Sequence, residues 1–158
     1  MKAIIQSWRT YRTLSSIERA VARDSAAGLA ITWLGLRAFG FRRWKEFVMG
    51  RAGRLIMANS SVRSPYPSPQ RIARLEFAAA RNLFFKTNCL EQSLVLWSVL
   101  RGRGFSADLK IGARKVAGQF EAHAWVELDG RALNDESDSH RTFVPFDGAV
   151  TAVETQLQ

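Results

Sequence analysis

One stretch constrains the fold of this chain more than any other: residues 88–135, NCLEQSLVLWSVLRGRGFSADLKIGARKVAGQFEAHAWVELDGRALND, where an apolar helix is followed at once by segments that alternate like strands. Asn88 is placed to cap the helix and Glu91 stands at its third position, the Asn form of a capping box. Leu90, Leu94, Trp97 and Leu100 form one stripe, and Val95, Leu96 and Val99 fill much of the remaining surface. That pattern predicts a helix buried at the centre. Gly102 and Gly104 stop it. Phe105, Ala107, Leu109 and Ile111 then alternate with polar residues, which predicts a strand, and residues 114–118 read as a loop. Phe120, Ala122, Ala124 and Val126 alternate with Glu121, His123, Trp125 and Glu127, so His123 shares a face with Trp125 and two carboxylates. The expected architecture is α+β, with the central helix packed on a small antiparallel sheet.

The rest of the chain reads as support for that unit. At 158 residues and 47% hydrophobic, with five Trp and ten Phe, it has the size and apolar content of one domain. Ser15 and Glu18 have the form of a capping box, so a helix begins there. Apolar residues at mixed helical spacing carry it, as one long or two consecutive helices, to an end near Gly40. Residues 42–49 suggest a further short amphipathic helix, and residues 51–59 are helical or irregular. The Ser- and Pro-rich residues 60–70 break regular structure, and residues 71–85 return to helical character. The expected organisation is an N-terminal helical region over residues 1–60, a linker over 61–70 and a second unit over 71–158, separate or packed as one domain with the first. Residues 143–147 look like a short final edge strand.

Charge and cysteine content narrow the function classes. The net charge of +9 is uneven: residues 1–60 carry eleven Lys or Arg against three Asp or Glu, residues 61–90 five against one, and the remainder seven against ten. The basic front half is either a solvated helical face or a surface for an acidic peptide, nucleic acid or an anionic membrane. The apolar run over residues 26–36 is far shorter than the roughly 20 residues of a spanning helix. No signal-peptide core develops at the N-terminus, so the expected location is the cytoplasm. One cysteine excludes an internal disulfide, and one Cys with two His offers too few soft ligands for structural zinc. No metal or other cofactor is expected, and no phosphate-binding glycine loop is present.

The only cysteine, Cys89, becomes the first residue of the central helix. A thiolate there meets the positive end of the helix dipole and unpaired amides, which favour it. The constellation of Cys89, His123 and Asp135 then has the order of a nucleophile, a general base and an orienter of the imidazole, as in papain-like or transglutaminase-like sites. The bland alternatives are a buried small hydrophobe for Cys89 and a satisfied structural histidine for His123. His140 reads as a loop residue without a role. The turn at residues 128–130 tests the arrangement. A two-residue Asp129-Gly130 loop pairs Leu128 with Arg131 and puts Asp135 opposite Ala124, on the wrong face. A three-residue loop pairs Glu127 with Arg131, Trp125 with Leu133 and His123 with Asp135. The expectation is the three-residue register, because it aligns function with pattern.

Cys89-Leu90 with Ser93-Leu94, the run from Ala122 to Glu127, and Asn134-Asp135 carry a family pattern. They resemble the transglutaminase-like leader peptidases of lasso-peptide biosynthesis, the B proteins of those clusters. The similarity covers roughly residues 70–147, and residues 15–48 resemble the helical front half of the same family. The resemblance implies a papain/transglutaminase-like core and a cysteine protease that cuts the leader from a ribosomally made precursor. A macrolactam cyclase then closes the new N-terminus onto an acidic side chain. It implies Cys89, His123 and Asp135 as the catalytic residues, and a separate small leader-recognition protein that presents the precursor leader peptide to a stand-alone enzyme. Nucleic acid is not among the implied partners. Unlike papain, residues 81–88 hold no Gln for an oxyanion hole, so the donor beside the Cys89 amide is unassigned. The alternatives are an amide transferase or crosslinking enzyme using the same three residues, and a non-catalytic basic binding module.

Overall fold

Ser15 and Glu18 exchange the two hydrogen bonds of a capping box: the Ser15 amide donates to Glu18 Oε2 at 2.9 Å, and the Glu18 amide donates to Ser15 Oγ at 3.2 Å. Helix α1 (Ser16–Asn59) starts there in the computed structural model, which describes residues 11–59, 66–135 and 138–146. It breaks at Gly40, where φ is 73° and ψ 170°, a conformation that glycine adopts without penalty. The predicted end of the first helix and the helix after it are therefore both present, joined across the break. Beyond the break the chain packs back on itself, since a Cβ on Gly35 would lie 2.3 Å from the Trp44 ring.

Helix α2 (Pro69–Arg81) takes in the last two residues of the expected linker. Ser68 Oγ accepts the Arg71 amide at 3.3 Å, and Pro69 needs no intrahelical donor at the first position, so Ser and Pro here start a helix. Residues 61–65 of the expected linker lie outside the described residues. Arg71 Nε donates to Glu18 Oε1 at 2.7 Å, fastening α2 to the start of α1. The Ser15 amide first, and then the Arg71 side chain, hold the Glu18 carboxyl below its usual range.

Helix α3 (Cys89–Arg101) follows the expected bounds, with the capping box complete: Glu91 donates its amide to Asn88 Oδ1, and the Asn88 amide donates to Glu91 Oε2, both at 2.9 Å. The sheet contains β1 (Asp108–Val116), β2 (Gln119–Leu128), β3 (Arg131–Ala132) and β4 (Val144–Pro145) in the antiparallel order β3-β2-β1-β4. A one-turn 3₁₀ segment (Ser139–Thr142) precedes β4. β1 starts and ends later than its alternation suggests, and the loop shrinks to Ala117 and Gly118, because Val116 pairs with Gln119. Arg114 and Glu121, expected in loop and strand, are ladder partners bridged at 2.6 Å. Charged side chains extend an exposed hairpin as readily as apolar ones when they pair across it.

Residues Val21, Leu29 and Trp44 of α1, Ile72 and Leu75 of α2, Leu94, Leu96 and Leu100 of α3, and Leu109 and Val126 of the sheet belong to one hydrophobic cluster. The core thus runs without a break from the helical front into the sheet, giving the α+β architecture. His123 and Trp125 alternate with Val126 along β2 and pack instead against Phe143, His140 and each other. Among the described residues, no helix is long and apolar enough to cross a membrane.

Candidate active site

The β2–β3 turn overturns one expectation. Leu128 pairs with Arg131 and Glu127 with Ala132, so the loop has two residues, not three. Asp129 and Gly130 both have positive φ, 51° and 74°, the conformation an Asp-Gly pair favours in a hairpin because it matches the strand twist. Local turn chemistry therefore prevails over the register that would oppose His123 and Asp135 in a regular ladder.

Asp135 reaches His123 all the same, because the ladder ends before it. The Leu133 amide still donates to Val126 O at 2.9 Å. Then the side chain of Asn134 takes over: its Oδ1 accepts the Val126 amide at 2.8 Å, and its Nδ2 donates to Ser93 Oγ at 2.8 Å. Ser93 Oγ in turn donates to Ala124 O at 2.9 Å, deep in the interface between α3 and β2. With its amide side chain standing in for backbone, Asn134 releases the next residue from the ladder. Asp135, itself buried, places Oδ2 3.4 Å from His123 Nε2.

Nε2 faces the carboxylate at ion-pair distance, and Nδ1 is the ring nitrogen on the other side. His123 is further held by Trp125, stacked at 5.9 Å, and by Phe143 at 5.2 Å. Asp135 has a cradle of its own. Ser139 donates its amide to Oδ1 at 3.2 Å and its hydroxyl to Oδ2 at 2.9 Å, and the His140 amide donates to Oδ2.

Cys89 is half-buried at the first position of α3. The capping box satisfies the amides of Asn88 and Glu91, and helix geometry leaves those of Cys89 and Leu90 without intrahelical partners. These two point toward any anion at the helix start. Ser93 meets Ala124, while Trp97 Nε1 donates at 3.1 Å to Ala107 O, next to the strand residue that pairs with Glu127. Cys89, one turn before Ser93 on the same side, therefore lies about 6 Å back along the helix. That is about two strand residues, the level of Ala122 and His123. Among the described residues no hydrogen bond joins Cys89 to His123: the structure brings His123 and Asp135 together, and the rises along α3 and β2 put Cys89 near their level.

Arg37 also belongs to this neighbourhood, and sequence reasoning missed it. It donates to Glu91 Oε1 at 3.0 Å and lies over Trp33 at 4.1 Å. Because Glu91 is almost fully buried, the pairing compensates a carboxylate taken out of water and fixes the helix start against α1. The two residues stand 54 positions apart, so no local signal announces the pair.

The match to a family model decides the classification: residues 33–146 match the transglutaminase-like superfamily. The chain belongs to that superfamily. Its match takes in the second part of α1, α2, α3 and the sheet, so Cys89, His123 and Asp135 all fall within the transglutaminase-like region. The chain is also 41% identical over 51 residues to the microcin J25-processing protein McjB of Escherichia coli, an alignment covering 32% of this chain and 24% of that protein. The chain thus matches about a quarter of that relative's length. No solved structure matches the chain.

Proposed function

We propose that this transglutaminase-like protein is a cysteine peptidase that removes the leader from a ribosomally made lasso-peptide precursor before macrolactam closure. The observation that carries the reading is the pairing of Asp135 with His123, which stands on a strand packed against the capped helix that begins with the only cysteine. The name of the similar protein, a processing protein for a microcin, supports work on a peptide precursor.

In this mechanism His123 Nδ1 takes the Cys89 thiol proton while Asp135 holds the Nε2–H tautomer. Sulfur adds to the carbonyl of the leader's last residue, and the Cys89 amide stabilises the oxyanion. Collapse of the adduct breaks the C–N bond, His123 returns the proton to the departing amine of the core peptide, and water hydrolyses the leader thioester. The helical front half and residues 71–158 act as one domain. A separate small recognition protein presents the leader, and the cyclase consumes the product, all in the cytoplasm, where the thiol stays reduced.

Incubation with the precursor and recognition protein, followed by mass analysis, tests the proposal. We expect the masses of free leader and free core peptide, and their loss in Cys89→Ala with precursor binding retained. A product heavier by an added amine would move the activity to transfer, and cleavage by Cys89→Ala at the wild-type rate would exclude the peptidase reading.

A further inference from the structure

His140 reads in the sequence as a loop residue without a role, yet the 3₁₀ segment returns it to the site. Its Nδ1 lies 3.3 Å from Asp135 Oδ2, the same oxygen that faces His123 Nε2 at 3.4 Å. Both imidazole nitrogens are buried, and each faces the carboxylate at ion-pair distance rather than through a well-aligned hydrogen bond. The backbone amide of His140 donates to that oxygen, so one residue meets Asp135 through a hydrogen bond and a ring contact. Trp125 contacts both imidazoles, stacked on His123 at 5.9 Å and tilted against the His140 ring at 5.7 Å. The oxygen that the Ser139 hydroxyl and the His140 amide hold is thus flanked by both imidazoles.

The geometry points to His140 as a positioning residue of this site: its backbone amide and the nearby Nδ1 keep Asp135 Oδ2 where the carboxylate can orient His123. This inference rests on the proposed roles of Cys89, His123 and Asp135. His140 touches no reacting atom; it acts through Asp135. Only a donor at the position of Nδ1 serves. The side-chain amide of Asn reaches that position, whereas the amide of Gln, one methylene longer, reaches the position of Nε2.

The test uses the reactivity of Cys89 and needs no peptide substrate. The rate of carboxamidomethylation by iodoacetamide is measured near pH 6, where an unassisted thiol is almost wholly protonated, and near pH 9.5, where it is mostly thiolate. The other charges of the neighbourhood stay constant in every variant: Arg114 over the Phe143 ring, Glu127 on the Trp125 indole, and the Arg141–Asp138 pair. We expect His140→Gln to lower the rate near pH 6 by about tenfold, with the rate near pH 9.5 little changed, and His140→Asn to stay within about threefold of wild type at both. In an Asp135→Asn background, His140→Gln causes no further loss, because the carboxylate through which His140 acts is gone. Wild-type reactivity near pH 6 in His140→Gln, or an undiminished further loss in the Asp135→Asn background, would overturn the inference. A wild-type profile in His123→Ala would instead remove the catalytic reading beneath it, so the two failures are distinguishable.

Discussion

Glu76 shows what single residues cost in this fold. It sits in α2 at 1% exposure, neither carboxyl oxygen has a hydrogen-bond partner among the described residues, and burial raises its pKa from 4.5 to about 8. Between those values the folded protein holds a proton that the unfolded chain has released. The stabilisation linked to that proton is complete below pH 4.5 and is lost as pH rises through about 8. Each tenfold difference in proton affinity between the folded and unfolded chain corresponds to about 1.4 kcal/mol, so the loss amounts to a few kcal/mol. Glu76→Gln should flatten the decline: urea midpoints should differ little from wild type near pH 5 and lie above it near pH 8.5. Equal slopes in the two proteins would show that Glu76 is solvated. The same scale marks a limit of sequence reading. Cys89, His123 and Asp135 can be named because residue type and order carry their chemistry. Glu76 and His140 cannot, since burial and the return of a loop are properties of the folded chain.

At the scale of elements, helix starts are the most legible features. The boxes at Ser15–Glu18 and Asn88–Glu91 are local, needing only residues three apart, and both form as the spacing predicts. The β2–β3 register departs from expectation because that expectation asks the ladder to deliver Asp135 to His123. In the structure the Asp-Gly turn obeys its own preference, and Asn134 ends the ladder by bonding Val126 and Ser93. Asn134 stands within the motif that carries the family resemblance, but its function as a ladder terminator needs Ser93, 41 residues earlier. Asn134→Ala should leave a buried backbone amide and a serine hydroxyl without their partner and cost about 1–3 kcal/mol. It should also lower leader cleavage at saturating precursor, because Asp135 loses the residue that delivers it. Wild-type turnover in a destabilised Asn134→Ala protein would mean that the 3₁₀ segment alone places Asp135.

At the scale of the whole molecule, one hydrophobic cluster joins the helical front to the sheet, so the site is supported from both sides of α3. The Arg37–Glu91 pair crosses that interface at the end that carries Cys89, and the Arg103–Asp24 pair, at 2.7 Å, crosses it at the other. The α+β class is legible because a buried helix beside alternating strands admits few packings. The division of the basic front half from the acidic remainder is legible by counting alone, whereas the way the front half packs depends on the break at Gly40 and on long-range pairs. The central claim is that this scaffold makes Cys89 a nucleophile toward a leader peptide. Acid-quenched intact-mass analysis during turnover tests it most directly. The account predicts a transient adduct of the leader's mass, bound as a thioester to Cys89, before free leader accumulates; cleavage proceeding at the wild-type rate in Cys89→Ala, with no adduct on Cys89 in the wild type, would contradict it.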